Sequence, residues 1–383
     1  MKLLHTADWH VGKTIKGQSR LGEHTAVLAD IVRIADSERV DVVLVAGDLY
    51  ETAAPNPDSE ALVLKTLLDL RDTGAHVIVI SGNHDNAPRF EAMRPVFGAL
   101  GVTVMGAPRR PADGGVVEVS GREGESIRVA LVPFLSQRGI IRTEQLMGQD
   151  AGSNIATYDE RMRQLVAALC DPFAGDAVNI VAAHCMVTGA SLGGGERSAQ
   201  TYMDYAIGAA AFPAHAHYVA LGHLHRTQQI AGAAPIWYSG SPVQVDFVEL
   251  DDPNNVLLVT ATRTTPAVVR PVAVSGGRRL RTLRGTVDQL RELARDADDS
   301  FLRVIVDGPT RAGLAEDVRE LLGDGVVEVR LAPPDADGLT IARRSRLSGQ
   351  TPHELFAAYL QDVGVDYPRL TALFAGLLDE QTH

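Results

Sequence analysis

Seven side chains of types that bind divalent metals stand at the ends of short apolar runs, in five short motifs. They are Asp8, His10, Asp48, Asn83, His184, His223 and His225. Carboxylates, an amide oxygen and neutral imidazoles suit borderline metals such as Mn²⁺, Fe²⁺ or Zn²⁺ better than Ca²⁺. The set contains no thiolate, which disfavours a structural zinc site. The residue types therefore predict a divalent metal centre.

Seven ligands are too many for one ion, whereas two ions that share one carboxylate fit the number. Such ions lie about 3.5–4 Å apart and suit hydrolysis of phosphate esters, because they activate a water and neutralise phosphoryl charge. His84 follows the predicted ligand Asn83 and is the predicted catalytic residue, since a protonated imidazole can stabilise the transition state or protonate the leaving oxygen. Asp85 is the second predicted catalytic residue, which would orient the His84 ring and hold it protonated.

Each motif has a common structural explanation when it stands alone. An Asp-x-His pair is usually a surface turn, Gly47-Asp48 is often a helix N-cap, and His184 can be a core histidine. The pair His223 and His225 is more specific, because alternate residues on a strand point to one face. The recurrence of all five motifs after apolar runs in one chain favours a shared functional site.

The elements that must position these residues can be read from the spacing of apolar residues. Apolar runs at 41–46 and 77–80 alternate with helical periodicity at 21–38 and 62–70, which predicts β-α-β crossovers. The runs are apolar throughout, so we expect both faces of the sheet to be covered. In open α/β sheets, ligand sites form beyond the carboxyl ends of strands, where the motifs stand. Residues 116–132 resemble a hairpin added to this sheet, and further strands follow up to residue 260. Two strand-rich halves flanked by helices predict an α/β fold arranged as a four-layer α/β-β/α sandwich.

The chain divides into three predicted regions. Residues 1–275 form the main domain. Residues 276–340 form a small α+β domain, which opens with an arginine cluster at 278–284 and has a short β-α-β-α-β pattern. Residues 341–383 contain a linker and two amphipathic helical segments, with apolar stripes at 355–360 and 370–378. Both stripes can pack on the core of this chain or form a surface for a partner.

Composition limits the class of protein. The 383 residues carry a formal net charge of −12, and no apolar run approaches the roughly 20 residues of a membrane helix. The first residues are apolar too briefly for a signal peptide. The two cysteines lack metal-type spacing, so we expect a reduced, cytoplasmic protein with no membrane contact. The negative charge alone argues against a nucleic-acid partner, but bound metals would offset part of it and local patches matter more than totals.

Lys13, Lys16 and Arg20 closely follow the first motif. Two explanations stay open for these basic residues. They can belong to a solvated loop, or they can contact a polyanionic substrate.

The five motifs together resemble the calcineurin-like metallophosphoesterase superfamily. Further stretches are similar to one branch of it, the SbcD nuclease subunits of bacterial SbcCD DNA-repair complexes. These stretches are residues 1–13, 184–190, 196–198, 218–225, 238–242 and 246–247. The resemblance covers residues 1 to about 250, while the last 100 or so residues match only in layout.

The resemblance implies roles for individual residues. Asp8, His10 and His225 would hold one Mn²⁺, Asn83, His184 and His223 would hold the other, and Asp48 would bridge them. His84 would be the catalytic histidine. Archaeal and eukaryotic relatives carry another histidine shortly after the bridging aspartate. This chain reads Leu49-Tyr50-Glu51 there, so that role is not transferred.

The resemblance also implies an activity and partners. The chain would be a Mn²⁺-dependent DNA nuclease with 3′-5′ exonuclease activity on duplex ends and endonuclease activity on hairpins and single strands. It would act in DNA repair, replication and recombination as a homodimer bound to two SbcC-type ATPase subunits. Residues 276–340 would be a capping domain that helps to hold DNA, and the C-terminal helices would dock on the ATPase.

Two alternatives from other classes remain open. A metallophosphatase or cyclic-nucleotide phosphodiesterase would use the same metal chemistry but would not need the basic small domain or the helical stripes. A DNA-end-binding scaffold would not need the intact ligand set or His84. Activity on DNA ends separates the first alternative from a nuclease, and replacement of His84 separates the second.

Overall fold

Two six-stranded sheets that face each other organise the structure. A computed structural model describes residues 1–136, 139–140, 158–193, 196, 206–247, 254–293, 299–309 and 311–332, with five single positions between 356 and 374. The predicted linker and C-terminal helices at 341–383 therefore lie almost wholly outside the described residues.

The first sheet is built from both ends of the main domain. Its strands are β1 (Lys2–Thr6), β4 (Val42–Ala46), β5 (His76–Ile80), β6 (Val102–Met105), β15 (Asn255–Thr262) and β16 (Thr265–Ala273), in the order β16-β15-β1-β4-β5-β6. The four strands β1, β4, β5 and β6 are parallel, and β15 and β16 add antiparallel pairs at the side of β1. A short hairpin follows β1, formed by β2 (Thr14–Ile15) and β3 (Gln18–Ser19).

The second sheet comes from the middle of the chain. Its strands are β7 (Val116–Ser120), β8 (Ser126–Val132), β9 (Val178–His184), β12 (Tyr218–Gly222), β13 (Gln228–Ile230) and β14 (Ile236–Tyr238), in the order β13-β14-β12-β9-β8-β7. The strands β8, β9, β12 and β14 are parallel, so their carboxyl ends lie at one edge. Two short strands, β10 (Met186–Val187) and β11 (Ala206–Ile207), pair with each other separately.

Helices cover the outer faces of both sheets. The first sheet carries α1 (Leu21–Glu38), α2 (Pro57–Asp72) and α3 (Ala87–Ala99), and the second carries α4 (Tyr158–Cys170). Asn56 and Asn86 begin α2 and α3 by accepting a hydrogen bond from the third helical residue, which satisfies an otherwise unpaired N–H group. The helices α2 and α3 start where such caps and prolines stand.

The inner faces of the two sheets form a shared apolar core. Leu44 and Ile78 from the first sheet lie in one buried cluster with Val129 and Ile180 from the second. Because separate clusters fill the space between each sheet and its helices, the strands are buried on both faces. The predicted α/β fold with four layers is confirmed.

A small domain follows near residue 276. It contains a three-stranded parallel sheet, β17 (Leu280–Gly285), β18 (Phe301–Val306) and β19 (Val326–Leu331), with α5 (Val287–Leu293) and α6 (Leu314–Leu322) on one face. This β-α-β-α-β order matches the predicted pattern. The limits of the predicted domain at 276 and 340 stay a prediction, since residues 333–340 lie outside the described part.

A buried arginine joins the small domain to the main one. Arg20, fully buried at the start of α1, donates to the main-chain oxygens of Gln244 and Arg278 and forms an ion pair with Glu23 at 2.6 Å. Ile15 of the β2–β3 hairpin lies in an apolar cluster that includes Phe301 of β18. The first hairpin therefore contacts both domains.

Among the described residues, no helix combines the length and hydrophobicity that crossing a lipid bilayer requires.

Candidate metal centre

The seven predicted ligands come together at the carboxyl ends of the strands. Three of the strands belong to the first sheet and two to the second. Three groups of side chains each offer ligand atoms within 4.8 Å of one another: Asp8, His10 and His225 form the first, Asp48, His184 and His223 form the second, and His10, Asp48 and His84 form a third that overlaps both. The Asn83 amide oxygen lies 2.9 Å from His184 Nε2 and 2.9 Å from His223 Nδ1, so it joins the second group.

The Asp48 carboxylate lies between the two groups. Its Oδ2 atom is 3.9 Å from His10 Nε2 and 3.4 Å from His184 Nε2. In the first group, His10 Nε2 and His225 Nε2 approach to 3.1 Å. Imidazole nitrogens that converge on one point from different loops are the arrangement expected around a cation.

Hydrogen bonds on the far side of the rings fix their orientation. His184 Nδ1 lies 2.8 Å from the main-chain oxygen of Ala46, and His10 Nδ1 lies 3.0 Å from the Glu51 carboxylate. Both acceptors require a proton on Nδ1, which leaves Nε2 towards the centre. Outer acceptors of this kind are typical of metal-binding histidines.

The backbone at the centre is strained. Asp8, His10 and Asp48 have φ of 54°, 48° and 53°, and His223 has φ of 108°, in the left-handed region that residues other than glycine rarely adopt. Such conformations cost about 1–3 kcal/mol each and persist where the surrounding structure imposes them. Four of the seven predicted ligands have such a conformation, and conformations of this kind are frequent at functional sites.

Burial and close packing shift the protonation of the site. Burial raises the pKa of Asp8 to about 7. Burial opposes the charge of His184, but the Asp48 carboxylate outweighs it and raises the His184 pKa to about 9. Burial lowers the pKa of His10 to about 4. For Asp48, burial is outweighed by the neighbouring His184 and His10, which hold its pKa well below the usual range. Once deprotonated, these carboxylates and imidazoles supply the negative charge and the lone pairs that divalent cations need, so the donor set fits a divalent metal centre.

The sequence relatives agree with this geometry. Residues 1–227 match the calcineurin-like phosphoesterase family model. The chain is 35% identical over 285 residues to the SbcD subunit of the nuclease SbcCD of Bacillus subtilis (strain 168), covering 73% of this chain and 71% of that protein. It is 30% identical over 320 residues to the SbcD subunit of the nuclease SbcCD of Escherichia coli (strain K12), covering 77% and 76%.

The chain belongs to the SbcD family of calcineurin-like phosphoesterases. It is therefore a hydrolase of phosphodiester bonds, and its His and Asp groups suit divalent metals. Both expectations from the sequence are confirmed at this level, whereas the identity of the metal and the role of each residue stay predictions.

In this SbcD-family chain, the motif Gly222-His223-Leu224-His225 is arranged differently from the sequence prediction. We expected His223 and His225 to alternate on a strand, but β12 ends at Gly222 and both histidines lie in the loop beyond it. The left-handed backbone of His223 turns the chain so that the two rings enter different groups. The strand argument for this pair is therefore wrong, while the assignment of the two histidines to separate metals stays a prediction.

His84 and Asp85 also differ from the expectation. His84 Nδ1 lies 2.7 Å from the main-chain oxygen of Glu51, and its ring packs edge-on against His10. The Asp85 carboxylate, which was predicted to orient that ring, instead accepts hydrogen bonds from the main-chain N–H groups of Leu49, Tyr50 and Gly82. Asp85 ties the loops after β4 and β5 together, and burial followed by the nearby Asp48 charge raises its pKa to about 7.

Two residues at the centre were not identified from the sequence. Phe134, just after β8, lies beside two predicted ligands, with its ring centroid 6.2 Å from that of His184 and 6.5 Å from that of His223. Its position after an apolar strand was a usable signal, but only polar residues were considered. Glu51 contacts His10 and Lys13, and its position gave no signal because it lies in a loop.

The basic residues after the first motif have separate partners. Lys13 forms an ion pair with Glu51 at 2.8 Å, and Lys16 forms one with Glu328 of the small domain at 2.9 Å. Arg20 is buried in the domain junction, so a solvated loop and a substrate contact are both wrong for this residue. At least one arginine of the predicted cluster at 278–284 also has a partner within the protein. The Arg278 guanidinium carbon lies 3.9 Å from the centroid of the Phe301 ring.

Proposed function

We propose that the chain is a Mn²⁺-dependent DNA nuclease subunit that works with an SbcC-type ATPase. Its activities are 3′-5′ exonuclease on duplex ends and endonuclease on hairpins and single strands, in DNA repair, replication and recombination in the cytoplasm. The observation that carries the proposal is the pair of side-chain groups that meet at Asp48. The names of the relatives supply the nucleic-acid substrate and the complex.

In this proposal, each ligand group would bind one metal ion. Asp8, His10 and His225 would hold one ion, Asn83, His184 and His223 would hold the second, and Asp48 would be the ligand shared by both. Two Mn²⁺ ions would supply a nucleophilic water and charge neutralisation at the scissile phosphate. The protein fixes these donors through Ala46 and Glu51, so the site is already organised before substrate binds.

His84 acts on the phosphate in this proposal. The Glu51 main-chain oxygen holds the proton on Nδ1, so Nε2 is the nitrogen that can face a substrate. When the ring also carries a proton on Nε2, it can donate a hydrogen bond from there to a phosphoryl oxygen, or give that proton to the leaving oxygen. Asp85 supports this step indirectly, since it holds the two loops that carry Glu51 and His84.

The small domain contributes to DNA binding in this proposal. The side chains of Arg284 and Arg330 are 60% and 52% exposed, and each forms an ion pair with a nearby carboxylate. Exposed arginines can contact phosphates and make binding depend on salt. Substitution of Arg284 by Gln should reduce the salt dependence of DNA binding, whereas substitution of Arg278 should destabilise the domain junction.

A homodimer is supported by one apolar surface. Met93 and Val96 of α3 and Leu100 just after it are exposed, and an apolar pocket beside them lies between α2 and α3. Contiguous exposed apolar side chains of this kind mark protein interfaces, and twofold dimers are the commonest assemblies. The surface adjoins the loop that carries Asp48, so a second copy here would place two centres in one assembly.

The decisive experiment incubates the purified chain with linear duplex and hairpin DNA in the presence of Mn²⁺, with and without the ATPase. We expect cleavage from 3′ ends and at hairpins, which chelation abolishes. Hydrolysis of a generic phosphodiester without cleavage of DNA, even with the ATPase present, would favour a phosphatase or cyclic-nucleotide phosphodiesterase. Binding of DNA ends with two Mn²⁺ bound and no hydrolysis of any substrate would favour the scaffold.

A further inference from the structure

Glu51 contacts both a predicted metal ligand and the predicted catalytic histidine. Its Oε2 atom lies 3.0 Å from His10 Nδ1, and its Oε1 atom lies 2.8 Å from Lys13 Nζ. Its main-chain oxygen lies 2.7 Å from His84 Nδ1. The same residue donates its own N–H to the Val11 oxygen at 3.1 Å, which anchors the loop after β4 to the loop after β1.

The two imidazole contacts have different chemistry. A carboxylate that accepts from His10 Nδ1 fixes the tautomer and makes Nε2 a stronger donor to a cation. A main-chain oxygen also fixes the tautomer of His84, but it carries no net charge. The residue can therefore strengthen a ligand on one side and hold the neighbouring histidine in one tautomer on the other.

Lys13 keeps the carboxylate in this position. The Glu51 side chain is 24% exposed and the Lys13 side chain 21% exposed, so the pair sits at the edge of the centre. The nearer carboxylate oxygen is 3.0 Å from His10 Nδ1 but 3.9 Å from His84 Nδ1. The ion pair between Lys13 Nζ and Glu51 Oε1 fixes one end of the carboxylate. Its geometric effect is to direct the second oxygen to His10.

We propose that Glu51 is the positioning residue of the first ligand group, whose carboxylate aligns and strengthens His10 while its main chain holds His84. The inference rests on the proposed function for its meaning in catalysis, but it concerns the affinity of the chain for a metal. It assigns the carboxylate no contact with the substrate.

The test compares Mn²⁺ binding and DNA cleavage by the full chain and four variants. Glu51→Ala removes the carboxylate, Glu51→Gln keeps an acceptor without charge, and Lys13→Met removes the anchor. Glu118→Gln is the matched control, because Glu118 is an exposed acidic residue on β7, outside the ligand groups. Calorimetric titration gives the affinity of each ion, and kinetics on duplex DNA give kcat and KM.

We expect Glu51→Ala to weaken one of the two Mn²⁺ sites by about 10–100-fold and to spare the other. Glu51→Gln should show a smaller loss, and Lys13→Met the smallest. Saturating Mn²⁺ should restore kcat in all three, because the main-chain contact with His84 remains, and KM for DNA should not change.

Three results would overturn the proposal. The first is wild-type Mn²⁺ affinity at both sites in Glu51→Ala and Glu51→Gln. The second is an equal loss of Mn²⁺ affinity at both sites. The third is a loss of kcat that saturating Mn²⁺ cannot restore, which would indicate a direct role of Glu51 in the reaction. If circular dichroism shows that Glu51→Ala is unfolded, the Mn²⁺ affinity of Glu51→Gln decides the role of the carboxylate. If the wild type binds two Mn²⁺ but cleaves no DNA, the proposed function fails and the titrations still decide the role of Glu51.

Discussion

At the residue scale, His84 is the side chain whose replacement separates chemistry from metal binding. Its Nδ1 contact is with a main-chain oxygen, so a His84→Gln variant leaves the charge of the ligand groups unchanged. We expect kcat on DNA to fall by about 10²–10⁴-fold, the usual contribution of general acid–base catalysis, with Mn²⁺ affinity nearly unchanged. His76→Gln is the control, since His76 is an exposed histidine at the start of β5. If His84→Gln still cleaves DNA at the wild-type rate, His84 has no catalytic role.

Protonation of His184 predicts how metal binding depends on pH. In the metal-free protein, Asp48 raises the His184 pKa to about 9, and burial raises the Asp8 pKa to about 7. Cations and protons compete for the same atoms, so Mn²⁺ affinity should rise as the pH rises through this range, with release of protons. Titration at about pH 6 and about pH 8.5 in two buffers of different ionisation enthalpy measures both quantities. Equal affinity at both pH values would contradict the prediction.

Residue types at strand ends were enough to find all seven ligand candidates, because the carboxyl ends of parallel strands meet at one edge. This rule did not identify Glu51 and Phe134, for different reasons. The contacts of Glu51 depend on two loops that meet only in the folded chain. Phe134 is apolar, so its residue type does not distinguish it from the residues of the hydrophobic core. The partner of Asp85 was mistaken because neighbours in sequence, here Asp85 and His84, need not point to one another.

At the scale of elements, the loops after β4 and β5 approach so closely that glycine is required. A Cβ atom on Gly82 would overlap the Asp48 carboxylate and its main-chain nitrogen. We therefore expect Gly82→Ala to lose Mn²⁺ binding and to lower the midpoint of thermal unfolding. Gly175→Ala is the control, because no atom lies within 4 Å of the added Cβ. Calorimetric Mn²⁺ titration and thermal unfolding of both variants test this close approach, and wild-type behaviour of Gly82→Ala would show that the loops can separate.

The start of α1 joins the domains through a buried ion pair. Substitution Arg20→Met leaves the Glu23 carboxylate buried without its partner, which costs about 3–5 kcal/mol in comparable pairs. The control Arg33→Met removes an arginine that is 66% exposed on the same helix, where a cost below about 1 kcal/mol is expected. Differential scanning calorimetry should show a lower transition for the small domain in Arg20→Met. Similar thermograms for the two variants would mean that the junction depends on the apolar cluster instead.

Helices and buried strands were predictable because their apolar periodicity is set by burial. The predicted helix at 21–38 agrees with α1, while α2 begins earlier because its cap lies outside the apolar pattern. The strand β16 was not predicted. It lies at the edge of the sheet, exposes most of its side chains and contains two prolines, so it lacks the signals of a buried strand.

At the scale of the whole molecule, the exposed face of α3 predicts the oligomeric state. A Val96→Glu substitution places a charge in the apolar surface and should convert a dimer into monomers, because an unpaired buried charge is costly. Light scattering after size-exclusion chromatography measures the mass. Val268→Glu on β16 is the control, since Val268 is 71% exposed away from this surface. An unchanged dimer in Val96→Glu would place the interface elsewhere.

The pairing of β1 has a consequence for how the protein is made. This strand, which precedes Asp8 and His10, lies between β4 and β15, and Lys2 pairs with Thr260. Contacts between residues so distant in sequence form slowly, since a long loop must close first. During synthesis, β1 can meet β4 early, but its other edge stays open until residues 255–262 have left the ribosome. The predicted ligands lie in loops between Asp8 and His225, so we expect metal uptake to follow folding of most of the main domain.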